Sequence, residues 1–176
     1  TDFSEDVGGI KWLKENVKDV EVVLEANGDS YSEYERVSAM TGLPTIMGWY
    51  VHEWLWRGDL ADINAKITDV ENIYTSTDEA HVKSLLEEYD ISYIFVGSCE
   101  RKKYGDQLNN DMLKSMGEVV YQDDEWQTYI VKVTRSVRAV VWKDGGAWLR
   151  LLSDRPEHKT VRQIGRAVQQ ECRDRS

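Results

Sequence analysis

Cysteine, histidine and proline are scarce in this chain of 176 residues, at two, three and two copies. Cys99 and Cys172 set no disulfide framework; one bridge between them stays open, with two free buried thiols the preferred reading. No CxxC, no HExxH and no histidine-rich cluster occurs, so no structural metal and no other cofactor is expected. No stretch approaches the ~20 apolar residues that a membrane-spanning helix needs, and no signal peptide opens the sequence. The chain as given is therefore expected to be a soluble piece. Basic residues are few where most of the mass lies: residues 1–134 hold 12 Lys and Arg against 27 Asp and Glu, a net −15. Such a surface repels phosphates and offers no counterion release, which argues against nucleic acid as a partner.

What is present suits a globular α/β body. A hydrophobic content of 41% and a charged content of 31% are ordinary, and the length allows one sizeable core, alone or with a small appendage. Ile10, Leu13 and Val17 recur at helical spacing and predict a first helix over Val7–Lys18. Asp19–Ala26 follows as a first strand, apolar enough to be central. Leu60, Ile63, Ile67, Val70 and Ile73 mark a long amphipathic helix capped by Asp59, with Asn72–Thr75 either ending it or forming a short strand. Val82, Leu85, Leu86 and Tyr89 define the next helix, capped by Thr77 or Asp78. Ile91–Val96 is the clearest buried strand, and Gly97 to Arg101 turns it into a helix. Met112–Met116 belongs to a further short helix. Val119–Tyr121 and Thr128–Val133, joined by the acidic turn Gln122–Trp126, predict an antiparallel hairpin at the sheet edge.

Residues 135–176 reverse the charge, with 10 basic against 5 acidic residues, a net +5 rich in arginine. Arg138–Lys143 and Ala147–Leu152 flank Asp144-Gly145-Gly146, a strong hairpin signal. A helix then starts around Asp154, Pro156 and Glu157, with Val161, Ile164, Val168 and Cys172 on one face and Arg162, Arg166 and Arg173 opposite. This divides the chain into an α/β body, 1–134, and a basic hairpin-helix tail, 135–176. Docking of the tail on the acidic body is preferred over contact with anionic lipid, and a tail foreign to the body is a third reading. The predicted class is α/β: a mainly parallel sheet flanked by helices, an antiparallel edge hairpin, and a C-terminal hairpin-plus-helix appendage.

The richest stretch for recognition runs from Glu25 to Gly58, at the carboxyl end of the first strand, where ligands usually bind in open α/β sheets. Ser30 and Glu33 have capping-box spacing for a helix that Gly42 can end and Pro44 discourages from continuing. Thr45–Trp49 reads as a short buried strand or loop leading into a second helix over Val51–Arg57. Asp29, Tyr31, Tyr34, Glu35, Arg36, Trp49, His52, Glu53, Trp54, Trp56 and Arg57 all fall within it. On that second helix His52 and Trp56 share a face, and Glu53 and Arg57 form a favourable i,i+4 pair. Aromatic rings beside carboxylates and arginine suit a sugar or a polar head group; the plain alternative is Trp in a core and charges in solvent. Gly97 with Glu100 and Arg101 forms a second candidate turn beside the first if the two strands are neighbours.

Three blocks in this order, EANGDSYSEYERVSAMTGLPTIMGWYVHEWLWRGD, ITDVENIYTSTD and YDISYIFVGSCERKKY, resemble the soluble tail of the Chlor-Arch-YYY membrane proteins. These large multi-spanning proteins of bacteria and archaea are similar in layout to the polyprenyl-phosphate-dependent (C-type) membrane glycosyltransferases. The resemblance covers Asp6 to Val133 and ends at Thr134; it departs at Lys66, where an arginine is expected. It implies an extracytoplasmic accessory domain whose membrane half lies elsewhere, on the outer face of the cell membrane. That domain would position a polar acceptor or a polyprenyl-linked sugar. Glu25, Asp29, Tyr31, Arg36, Trp49, His52, Glu53 and Arg57 are then the contact residues. The carboxylates and His52 would bond hydroxyls, Trp49 and Tyr31 would stack, and Arg36 and Arg57 would pair phosphate. Catalytic carboxylates are expected on loops between membrane helices, outside this chain. Two other classes compete: a stand-alone glycoside hydrolase using Glu25, Asp29 or Glu53 as acid and base, and a protein-interaction module without a small ligand. Convergent carboxylates in a deep cleft would favour the hydrolase, an open polar rim the accessory domain, and no cleft the module.

Overall fold

The computed structural model describes residues 4–48, 60–134, 137–141 and 147–151. The chain divides into two compact units, Thr1–Thr134 and Arg135–Ser176. In the first, the order is α1 (Ser4–Asn16), β1 (Val22–Leu24), α2 (Arg36–Thr41), α3 (Leu60–Thr75), α4 (Glu79–Glu88) and β2 (Ile91–Val96). There follow α5 (Ser98–Tyr104), a single 3-10 turn at Gly105–Gln107, α6 (Asn110–Ser115), β3 (Gly117–Asp123) and β4 (Thr128–Val133).

The four strands form one sheet in the order β1-β2-β4-β3. β1 runs parallel to β2 with Leu24 opposite Ile94, whereas β2–β4 and β3–β4 are antiparallel, Phe95 facing Ile130 and Gln122 facing Tyr129. The α/β class, the flanking helices and the edge hairpin are those the sequence pattern predicts. The parallel part is narrower than expected, a single pair. β4 folds back directly onto β2 and takes the place that a further parallel strand would need.

β1, expected to be central, is an edge strand. Its three residues are all buried, which in sequence is indistinguishable from a central position. Burial comes instead from helices on both faces, and the outer edge is met by the loop after α2, where Val23 N–H donates to Pro44 O at 2.9 Å. The strand is also shorter than Asp19–Ala26, and Val20 stands 89% exposed.

Alternation along the strands divides the core between the two faces. Leu24, Ile94, Val96 and Val131 pack with Val70, Ile73, Tyr74, Leu85, Leu86 and Leu113 from α3, α4 and α6. Val23, Tyr93, Phe95 and Ile130 pack with Ile10, Leu13 and Val37 from α1 and α2. α1 lies close on the sheet at Gly9, where a Cβ would stand 2.8 Å from the Phe95 ring. Tyr74, fully buried, donates its hydroxyl proton to Phe95 O at 2.8 Å, so its polar end is satisfied inside the core.

Helix boundaries show which local signals prevail. Gly42 ends α2 in the left-handed conformation (φ 78°), its N–H donating to Ser38 O at 2.8 Å, as its position predicts. The start differs: residues 30–35 form turns, Glu35 takes φ 64°, and the helix begins at Arg36. Residues 43–48 form a loop rather than a strand. Asn72–Thr75 continues α3 to its end, and Asp78 caps α4 by accepting from His81 N–H at 3.1 Å. In the second unit β5 (Val137–Val141) and β6 (Ala147–Leu151) pair antiparallel, Val141 opposite Ala147. The predicted tail helix lies outside the described residues.

Candidate functional site

Behind the carboxyl ends of β1 and β2 lies a buried ion cluster. Arg36, 3% exposed, donates from Nε to Asp6 Oδ2 at 2.6 Å and from Nη2 to Glu100 Oε2 at 2.8 Å. Glu100 also accepts Ala26 N–H at 2.9 Å and Gly97 N–H at 2.8 Å. Asp6 accepts from Ser98 N–H at 2.9 Å and from the Ser98 hydroxyl. The cluster thus ties α1, α2, α5 and both parallel strands together. Burial alone would push the Asp6 carboxyl up; hydrogen bonding to Arg36 and its charge outweigh it and hold the group below the usual carboxylate range. Gly97 is required here by space: a Cβ would stand 2.1 Å from Asp6 Oδ1 and 2.9 Å from Arg36 Nη2.

Glu25 is the second buried acid, 3% exposed, and does the work of a helix cap from eleven residues before α2. Its carboxylate accepts Val37 N–H at 2.8 Å and Ser38 N–H at 2.7 Å, the second and third positions of the helix. This explains why the Ser30–Glu33 box starts no helix. Burial pushes the Glu25 carboxyl up to about 7, against the pull of the Ser38 and Val37 N–H groups, and the charge of Glu100 adds to the rise.

An open polar cleft lies beyond the end of β1, about 430 Å³ in volume and lined by Asn27, Gly28, Asp29, Tyr34, Asn64, Ile67 and Lys103. The Tyr34 ring lies against the backbone of Gly28, where a Cβ would come within 2.1 Å of it. Lys103, from α5, donates to Asn27 O at 2.6 Å and to Asn27 Oδ1 at 2.9 Å. Its ammonium stands over the rings of Tyr34 and Tyr104 at 5.7 and 5.3 Å. Burial lowers its pKa, opposed by the charges of Glu71, Glu100 and Asp29. Two of its three protons serve Asn27, which leaves one for a cleft ligand. Amide groups, a phenol, a cation and one carboxylate are the donors and acceptors that hydroxyl-bearing ligands require.

Of the residues expected to make contact, Asp29 faces this cleft. Glu25 and Arg36 do not: both carry out structural pairing, so Arg36 is no cation for phosphate and Glu25 no acceptor for hydroxyls. Tyr31 stands 83% exposed with φ 62° and lines no part of the cleft. Trp49, His52, Glu53 and Arg57 lie outside the described residues. At the second turn, Glu100 belongs to the ion cluster, and Arg101 pairs with Glu5 at 3.0 Å and donates to Gln127 O at 2.9 Å. Lys66, the departure from arginine, pairs with Asp62 one turn earlier at 2.8 Å. Asn27 and Gly28 went unread although they sit inside the richest stretch; Asn64 and Lys103 gave no local signal.

Cys99 is free and buried, its thiol near Glu33 O at 3.7 Å and pushed by burial up to about 11, too high for a reactive thiolate. Among the described residues no group of three His, Cys, Asp or Glu side chains converges to hold a metal, and no helix is long and apolar enough to cross a membrane. No protein-family model matches the chain, and no curated protein sequence matches it.

Proposed function

We propose that the body is a ligand-binding domain without chemistry of its own. It would serve as the extracytoplasmic accessory part of a membrane-embedded, glycosyltransferase-like protein of the Chlor-Arch-YYY kind. Its cleft would hold a polar acceptor or the sugar of a polyprenyl-phosphate donor. The observation that carries this reading is the open polar cleft beyond β1, in which Asp29 is the single carboxylate among the described lining residues. A glycosidase needs two carboxyl groups roughly 5–9.5 Å apart across the bond it cleaves. Of the neighbouring acids, Glu25 is committed to helix N–H groups and Asp6 and Glu100 to Arg36, and Glu71, whose charge acts on Lys103, does not line the cleft. A cleft that binds without converging acids suits positioning, with turnover left to the membrane half.

Titration of the chain, followed by amide NMR, with a short-chain prenyl-phosphate hexose and with the free hexose tests this. Shifts should gather at Asn27–Asp29, Tyr34, Asn64 and Lys103, shrink in Asp29→Asn, and be accompanied by no release of sugar. Hexose release by the chain alone would favour the hydrolase, and no shift in the cleft at millimolar ligand would remove the binding reading.

A further inference from the structure

Asn27 is the one fully buried polar side chain among the described residues of the cleft, 6% exposed where Asp29, Asn64 and Lys103 are open to solvent. Its carboxamide has a fixed orientation. A lysine ammonium carries three donors and no acceptor, so the atom that Lys103 meets at 2.9 Å is the carboxamide oxygen. The second bond from Lys103, to Asn27 O at 2.6 Å, anchors the ammonium on the same residue and opposes any turning over of the amide. Nδ2 then lies on the other arm of the carboxamide, and among the described residues it donates to no acceptor. It is not sealed in the core either. Its two N–H groups therefore open onto the cleft that Asn27 lines.

These N–H groups and the remaining Lys103 proton gather donors at the end of β1. Beside them the Tyr34 ring and Ile67, both half-buried, form the apolar part of the lining, and Asp29 supplies a carboxylate. The matching ligand carries an oxygen that accepts without donating, a small apolar group next to it, and hydroxyls within reach of an acid. An acetamido group joins the first two in one substituent: its carbonyl oxygen takes two N–H bonds, and its methyl covers apolar surface. We infer that the cleft selects an N-acetylated hexosamine, its acetamido oxygen on Asn27 Nδ2 and Lys103, its acetyl methyl on Ile67 and Tyr34, and its hydroxyls at Asp29. A plain hexose meets the same donors but leaves the apolar lining uncovered. A free amino sugar brings an ammonium up to Lys103. A sugar acid satisfies the donors but sets a carboxylate, not a methyl, against Ile67.

The inference rests on the cleft being the ligand site, and one experiment separates the two. Amide and methyl NMR titrations of the whole chain compare methyl N-acetylglucosaminide, methyl glucoside and methyl glucosaminide. The acetamido sugar should bind at least about tenfold more tightly than either of the others. Its acetyl methyl should show nuclear Overhauser contacts to Ile67 and the Tyr34 ring. Asn27→Asp, which keeps a partner for Lys103 but replaces both N–H groups by an acceptor oxygen, should abolish the preference and leave the thermal transition in place. Lys103→Met, which frees the Asn27 amide to turn over, should narrow the preference. Equal binding of the three sugars in the cleft, an acetyl methyl without those contacts, or an unchanged preference in Asn27→Asp overturns the acetamido inference and leaves the cleft a binding site. No cleft shift with any of the three removes the binding reading and this inference with it.

Discussion

Two buried ionisable groups behave oppositely because of what faces them. Glu25 has an ordinary value of 4.5 and titrates near 7 in the fold. A carboxyl whose pKa rises on folding holds its proton more tightly in the native state, so its contribution is favourable below about pH 4.5 and is lost as pH rises through 7. Linkage puts the loss at about 3 kcal/mol. Urea midpoints should therefore fall between pH 5 and pH 8, and Glu25→Gln should flatten that decline; equal slopes in the two proteins would show that Glu25 is not the group responsible. Arg36 is the opposite case, a cation held between Asp6 and Glu100. Arg36→Met should cost about 3–5 kcal/mol in urea unfolding at neutral pH, because two carboxylates are left buried without a counter-charge. A loss under about 1 kcal/mol, the level of a surface ion pair, would contradict the burial of this cluster.

Among the elements, β2 carries most of the fold. All six of its residues are buried; it pairs with both β1 and β4, and it feeds directly into the ion cluster through Gly97. Ile94 is fully buried between Leu24 and Val131 in the hydrophobic core. Ile94→Asp should abolish cooperative folding, since an unpaired buried charge costs several kcal/mol or forces its own neutralisation. A soluble Ile94→Asp protein with a sharp thermal transition would refute that placement. By contrast α2, six residues long, exists by virtue of its ends: Glu25 supplies the cap at its start and Gly42 the left-handed turn at its stop.

At the scale of the molecule, the chain divides into its two compact units after Thr134, where the charge of the sequence changes sign. A chain ending at Thr134 should melt within about 3 °C of the full chain, less than the shift that 1 kcal/mol produces in a domain of this size. It should also keep the same cleft amide resonances. Loss of a cooperative transition in that shorter chain would mean that the second unit completes the core of the first. The same scale explains the cleft. Asn27 and Asp29 come from the end of β1, Asn64 from α3 and Lys103 from α5, and only the parallel pairing of β1 with β2 brings the ends of these segments together.

Periodicity, hydrophobic runs and turn residues were enough to read β2, the β3–β4 hairpin, the spans of α1, α3 and α4, and the stop of α2 at Gly42, because each depends on neighbours within a few residues. Asp29 and Tyr34 were legible for the same reason, as polar and aromatic groups just after a strand. Sequence spacing misled where distant groups compete. Ser30 lost the helix start to Glu25, whose oxygens reach Val37 and Ser38. Arg36 looked like a cation open to phosphate until Asp6, 30 residues before it, and Glu100, 64 residues after it, closed on it. β1 read as central because helices on both faces bury an edge strand as completely as neighbouring strands bury a central one. Local pattern records which residues avoid water; which charge meets which, and which strand lies outermost, depends on contacts between segments far apart in the chain, and those exist only once the sheet has formed.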